Sequence, residues 1–293
     1  MASLKSAAKP KKTAGTAKAK AGAGPGGLAE HLLGRAPAED VAAYDAADLE
    51  MAAALAGRAV ARHRKGESIV AIDADSGISR QGRPMTVITV VNDNMPFLFD
   101  SILGEITEAA GEPALVTHPV LAVRHGKAGV EEILGDGGTT KEDGTHDRLS
   151  VVHVHVPRLG AERAAALAER LKLTLAQTRA ATRDWKPMLA RLDQAISEFR
   201  YAPVPLDKKS VAEAIAFLEW LRDDNFTFLG MREYKYTGGE KSGELELDDS
   251  PGLGILTDPN VLILRRGTEA VTTTPEIRAF LHGPEPLIVT KAN

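Results

Sequence analysis

Residues 87–106 read VITVVNDNMPFLFDSILGEI, and the order of elements they encode decides the fold. The β-branched run of Val87, Ile88, Val90 and Val91 suits a pleated, buried surface. It stops at a polar turn, Asn92-Asp93-Asn94. Pro96 then opens a helical pattern in which Leu98, Ile102, Ile106 and Ala109 share one face, at the helix period. Gly111 stands where a left-handed C-cap would end that helix. The stretch therefore predicts a strand, a tight turn and a helix. Free backbone N–H groups at such a turn suit a small anion or carboxylate.

Outward from this stretch, Ser68–Ile72 reads as a strand and residues 77–83 as a turn-rich link. Leu115–Arg124 is a third strand, and its interior Pro119 cannot donate to a ladder, which predicts an edge position or a bulge. Residues 125–147, Gly-rich and charged, read as a long excursion. Leu149–Val156 is a fourth strand, with Ser150, Val152, Val154 and Val156 on one side and Leu149, Val151, His153 and His155 on the other. Gly160–Thr182 is strongly helical, a break is expected at Asp184–Pro187, and a further helix ends near Arg200. The expected fold class is α+β, a ferredoxin-like α/β sandwich with an antiparallel sheet of four strands, one supplied from the N-terminal side.

The expected division is a disordered basic tail (1–27), a helical lead-in (28–66), an α+β domain with a long helical extension (67–202) and a second, truncated α+β domain (207–293). Pro203 and Pro205 mark the linker. In the second domain Ser210-Val211-Ala212-Glu213 reads as a capping box. Phe226–Tyr236, Val261–Arg265 and Leu287–Val289 read as strands, with an acidic Gly-rich loop over 238–254 and a short helix from Thr274 to Gly283.

Composition bounds the chemistry. The chain has 293 residues, no cysteine, 43% hydrophobic residues and 4% aromatics. Disulfides, thiolate metal sites and cysteine nucleophiles are excluded, and a reducing cytoplasm fits. No apolar run reaches the ~18 residues of a membrane span, and no signal core follows the N-terminal lysines. Residues 1–27 carry six lysines and no acid, against a whole-chain charge of −4, so the remainder carries −10. Such a tail could touch nucleic acid or lipid, but its composition fits a solvated, disordered segment, and neither partner is expected.

Few motifs carry chemistry. Gly22–Gly27 satisfies G-x-G-x-x-G but lacks the strand before it and the acidic residue after it that a dinucleotide site needs. His153 and His155 share a strand face without a third ligand nearby in sequence, which favours surface or half-buried structural histidines; His118 and His125 are lone cases. Asp100 suits the first helical turn, and Asp93 an Asx-type bond in its own turn. No catalytic residue and no metal ligand is expected.

Several stretches, in order, are similar to the large bacterial NAD-dependent glutamate dehydrogenases. They are NDNMPFLFDSI (92–102), THPVL (117–121), DWKPM (184–188), AFLEWL (216–221), NFTFLG (225–230), GLGIL (252–256) and LIVTKAN (287–293). Together they span about residues 60 to 293 and resemble that family's N-terminal region. The resemblance implies an ACT-like module and a regulatory or assembly segment. The dehydrogenase domain and its NAD would lie elsewhere in the parent enzyme, and this chain would hold no cofactor. Its partners would be the rest of that chain and further copies of it. A free-standing ACT-like amino-acid sensor or dimerisation module is the alternative. The turn resembles the D-x-P-G-L-L corner that takes amino acids in ACT domains. Asn92, Asp93, Asn94 and Met95 are then the candidate effector residues. Phe97 replaces the glycine that allows close backbone approach.

Overall fold

A computed structural model describes residues 27–140, 144–201, 203, 206–239, 242–247, 251–258, 261, 265–266, 269–270, 275–287 and 289. The lead-in holds α1 (Leu28–Leu33), α2 (Ala38–Val41) and α3 (Ala46–Arg62). Then come β1 (Ser68–Asp73), β2 (Ser79–Arg80), β3 (Arg83–Asp93), α4 (Leu98–Ala110), β4 (Leu115–Thr117), β5 (Val120–His125), β6 (Val130–Asp136), β7 (Asp147–Pro157) and α5 (Ala161–Tyr201). The strands form one antiparallel sheet in the order β1-β3-β7-β5-β6, with β2 beside β3 and β4 beside β7. The long β3–β7 ladder runs unbroken from Met85↔Pro157 to Asp93↔Leu149.

Both faces of this sheet are covered. On one face Ile88, Val90, Val152, Val154 and Val156 meet Leu98, Ile102 and Ile106 of α4 and Leu167, Leu171 and Leu175 of α5. On the other, Val91, Leu121, Val123, Leu149 and Val151 meet Leu28 and Leu32 of α1 and Ala56, Ala59 and Val60 of α3. The small residues of α3 bring its backbone close to the sheet. The lead-in is thus the second helical layer of an ACT-like α/β domain.

Sequence and structure part at identifiable places. The third strand divides into β4 and β5 around His118-Pro119; Pro119 donates nothing, but its carbonyl accepts from Val151 N–H at 3.0 Å. The supposed excursion over 125–147 contains the edge strand β6, with register shifts where it meets β5. Gly135, at φ +143, and adjacent acids hide its pattern, and the sheet gains a strand.

The expected break at Asp184–Pro187 does not occur: α5 is one helix of 41 residues, about 60 Å long at helical rise. Pro187 removes one N–H, at a cost of about 3 kcal/mol. The continued burial of Ala181, Met188, Leu192 and Ile196 on one face offsets it. The far half of α5 thereby becomes the support for the second unit.

That unit holds α6 (Lys208–Trp220), a turn over Leu221–Asn225, β8 (Gly230–Met231), β9 (Tyr234–Gly239), β10 (Ser242–Leu247), β11 (Leu253–Gly254), β12 (Arg265–Arg266), β13 (Glu269–Ala270) and α7 (Pro275–Leu281). Asp207, not Ser210, caps α6: its carboxylate accepts from Lys209 N–H at 3.1 Å and Ser210 N–H at 3.0 Å. An aspartate one turn earlier outcompetes the serine because a charged acceptor binds the free N–H groups more strongly. Residues 226–229 are not in a strand, and the expected loop over 238–254 contains β10, paired with β9. Residues 287 and 289 are not in a strand, and 288 lies outside the described residues, as do 262–264 and the tail up to residue 26. Leu218 packs on Leu192 and Ile196, with Phe228 and Met231 against them, so the second unit grips the end of α5. Asp184, buried on α5, accepts from Gly254 N–H at 2.8 Å. The Arg183 hydrogen bond, followed by that of Gly254, holds its carboxyl below the usual range. Among the described residues, no helix is long and apolar enough to cross a membrane.

Candidate functional site

The end of β3 and the turn after it form a closed hydrogen-bonded knot; the turn expected at Asn92-Asp93-Asn94 begins only at Asn94, because Asn92 and Asp93 pair with Ser150 and Leu149 of β7. Asn92 is fully buried. Its Oδ1 accepts from Ser68 Oγ at 2.5 Å and from Arg179 Nη2 at 2.6 Å, and its Nδ2 donates to Asp93 O at 2.6 Å. Asp93 is half-buried, and its Oδ2 accepts from Gly66 N–H at 2.7 Å and Arg179 Nη1 at 3.4 Å. Arg179 also donates to Glu67 O at 3.2 Å. The Asx-type local bond expected of Asp93 gives way to bonds with residues distant in sequence. Asn94 N–H donates to Arg148 O at 2.9 Å, and its side chain is exposed. Met95 Sδ accepts from Thr182 Oγ1 at 3.7 Å. The turn ties β1, β3, β7 and α5 together, through an arginine that no sequence motif announces.

Phe97 begins a different environment. It caps α4 with φ +63, a left-handed conformation that costs a side chain with a Cβ about 1 kcal/mol. Its ring is 55% exposed. With Pro96 it starts the wall of an open cleft of about 920 Å³ between α4, α5 and the second unit. Trp185 and Leu189 of α5 and Phe226, Phe228 and Leu229 build the remaining apolar wall. Trp185, Phe226 and Leu229 are each about half exposed or more. Leu221–Asn225 positions Phe226 by reversing the chain at Asp224, where φ is +59. Asp100, Glu105, Glu108, Arg222 and Asp224 also line the cleft. Arg170 pairs with Glu105 and Glu108, and Arg222 with Asp193 and Asp223. Of the candidate effector residues, none lines the cleft; the walls come from residues 96–108, 174–189 and 222–255, about 160 residues apart at the extremes.

His153 and His155 are fully buried, not half-buried, because α3 and Tyr44 cover their face of the sheet. Their Nε2 atoms lie 3.0 Å apart, and His153 Nδ1 lies 2.9 Å from Thr89 Oγ1. Tyr44 meets the His155 ring edge-on at 5.1 Å. Burial pushes His155 down to about 4, keeps His153 well below the ordinary imidazole value, and pushes Tyr44 up to about 12. All three are neutral at physiological pH. Among the described residues no cluster of three His, Cys, Asp or Glu could hold a metal. His118 stacks on Phe99 at 4.8 Å and bonds Ser150 Oγ at 2.6 Å. Gly22–Gly26 of the glycine run lie outside the described residues.

With this geometry in hand, comparison with known proteins is informative. The family described as "Glutamate dehydrogenase, ACT1 domain" matches residues 28–171, from α1 into α5. The NAD-specific glutamate dehydrogenase of Halomonas elongata is 32% identical over 173 residues, 58% of this chain and 10% of that protein. The NAD-specific glutamate dehydrogenase of Pseudomonas aeruginosa is 26% identical over 209 residues, 71% of this chain and 12% of that protein. The chain thus spans about a tenth of the length of the curated relatives it matches. The chain is similar to the N-terminal region of the NAD-specific glutamate dehydrogenases, and residues 28–171 carry the match to their ACT1 domain.

Proposed function

We propose that this chain is a regulatory and assembly segment of an NAD-dependent glutamate dehydrogenase acting in the cytoplasm. The parent reaction would convert L-glutamate, water and NAD to 2-oxoglutarate, ammonium and NADH, with NAD bound outside these residues. The observation that carries the reading is the aromatic cleft. Phe97, Trp185, Phe226 and Leu229 hold apolar surface in water at the junction of two units, and such patches serve as contact surfaces. The occupant we assign is the rest of the same polypeptide, since the matched relatives are some eight to ten times longer than the region they share with this chain. The segment works there by docking, and an effector acts by changing how well the two units hold the cleft open.

The sensor reading has less to rest on. An ammonium group arriving at the turn would need the Asp93 carboxylate, which Gly66 N–H and Arg179 already hold. The test uses the intact dehydrogenase that carries this segment. Trp185→Ala with Phe226→Ala should change its assembled mass by light scattering, or its response to effectors. Identical mass and identical response would overturn the proposal. A saturable thermal shift of this chain with an amino acid, abolished by Asp93→Ala, would favour the sensor instead.

A further inference from the structure

Where α3 ends, ionisable groups from several elements meet. His63, its C-cap residue, is fully buried. His63 Nε2 lies 3.0 Å from Glu67 O, and His63 Nδ1 lies 3.1 Å from Nε2 of His125, the last residue of β5. His125 Nδ1 lies 3.0 Å from Oδ2 of Asp147, the first residue of β7. Asp147 Oδ1 accepts from Lys65 Nζ at 2.6 Å.

The donors can be counted. A carbonyl oxygen and a carboxylate only accept. His63 Nε2 must therefore carry a hydrogen for Glu67 O, and His125 Nδ1 must carry one for Asp147. The contact between the rings needs one more, on either nitrogen. Four ring nitrogens then hold three protons, whereas two neutral imidazoles hold two. We propose that the His63–His125 pair holds this third proton in the folded chain, and that it acts as a pH-sensitive latch between the end of α3 and the β5–β6 hairpin.

The surroundings support the count. The Lys65 hydrogen bond holds the Asp147 carboxyl below its usual range, so it is the acceptor-only form. Burial pushes His63 down, against the opposing pull of Asp93, whose Oδ1 is 3.9 Å from Nε2. The charged groups facing the pair are Lys65 after α3, Asp93 on β3, Asp147 on β7 and Arg179 on α5, while Glu131 of β6 lies against the hairpin turn at Gly126.

The latch closes a tight joint. Gly126 N–H donates to Gly129 O at 2.8 Å, which closes the hairpin turn, and Gly129 lies against Ala61 in the last turn of α3. Gly129 has φ +145, and a Cβ there would collide with Ala61 O. If the third proton leaves, one of the three bonds must be given up inside this joint.

The test is a count of ring N–H protons on the whole chain, labelled with ¹⁵N at histidine, by long-range ¹H–¹⁵N spectra near neutral pH. Three protons on the four nitrogens of His63 and His125 are expected, and two would overturn the proposal. Asp147→Asn can donate its amide to His125 Nδ1, so that variant needs two protons and should show two. If the variant does not fold, the wild-type chain alone decides. Loss of the third proton on raising pH should move the amide signals of residues 63–67 and 126–130 together. Unmoved amides would refute the latch.

Discussion

The interior around the sheet and the open cleft beside α4 and α5 treat their residues in opposite ways. Inside, polar side chains serve the packing: Asn92, Asp93 and Arg179 satisfy one another, and His153 and His155 sit neutral between strand and helix. In the cleft, plain aromatic side chains stay in contact with water. Residues that look like chemistry in a sequence here serve the fold, and residues that look like core serve the surface. Polar substitutions inside should therefore register in stability, and aromatic substitutions at the cleft in docking.

The largest effect should come from acid. His155 is held at about 4, against an ordinary value near 6.5. As pH falls below about 6.5 the unfolded chain takes the proton and the folded chain does not, so stability is lost between there and about pH 4. The shift corresponds to about 3 kcal/mol. Chemical denaturation across that range should show the slope, and His155→Leu should flatten it. A wild-type chain equally stable at both ends would mean that the pair is wet or paired.

Arg179→Ala should follow, at about 2 kcal/mol, because Asn92 and Asp93 lose their shared donor. Denaturant midpoints would measure it. A loss below about 0.5 kcal/mol would mean that the turn is looser than its hydrogen bonds indicate, which would reopen it as an effector site. Smaller still is Phe97→Gly. Relief of the left-handed backbone should raise stability by up to about 1 kcal/mol, while the cleft loses a wall. A clear destabilisation in thermal melts would show that the Phe97 ring works as core, and would blur the contrast.

Much of this fold is legible in the sequence. The β3–turn–α4 unit follows from Val87–Val91 and the spacing of Leu98, Ile102 and Ile106, and Gly111 ends the helix at φ +81, but β3 runs on through Asn92 and Asp93, where the polar residues suggest a turn, because both pair with β7 in the ladder. The alternation of β7 correctly separates His153 and His155 from Val152 and Val154, but alternation cannot tell that α3 will cover the histidine face. Pro187 misleads because a local penalty is outweighed by burial along the rest of α5. The cleft is invisible for a different reason. Phe97, Trp185 and Phe226 are isolated in sequence, and only the continuity of α5 brings them together. A chain with 4% aromatics that places several in open positions gives a hint, but not an address.

The measurement closest to the central claim is hydrogen exchange on the intact dehydrogenase compared with this chain alone. Docking in the cleft predicts slower exchange at residues 97–109, 181–189 and 226–229 in the intact enzyme, with the 92–95 turn unchanged because it is already closed. Equal exchange at the cleft in both, or new protection confined to the turn, would contradict the account.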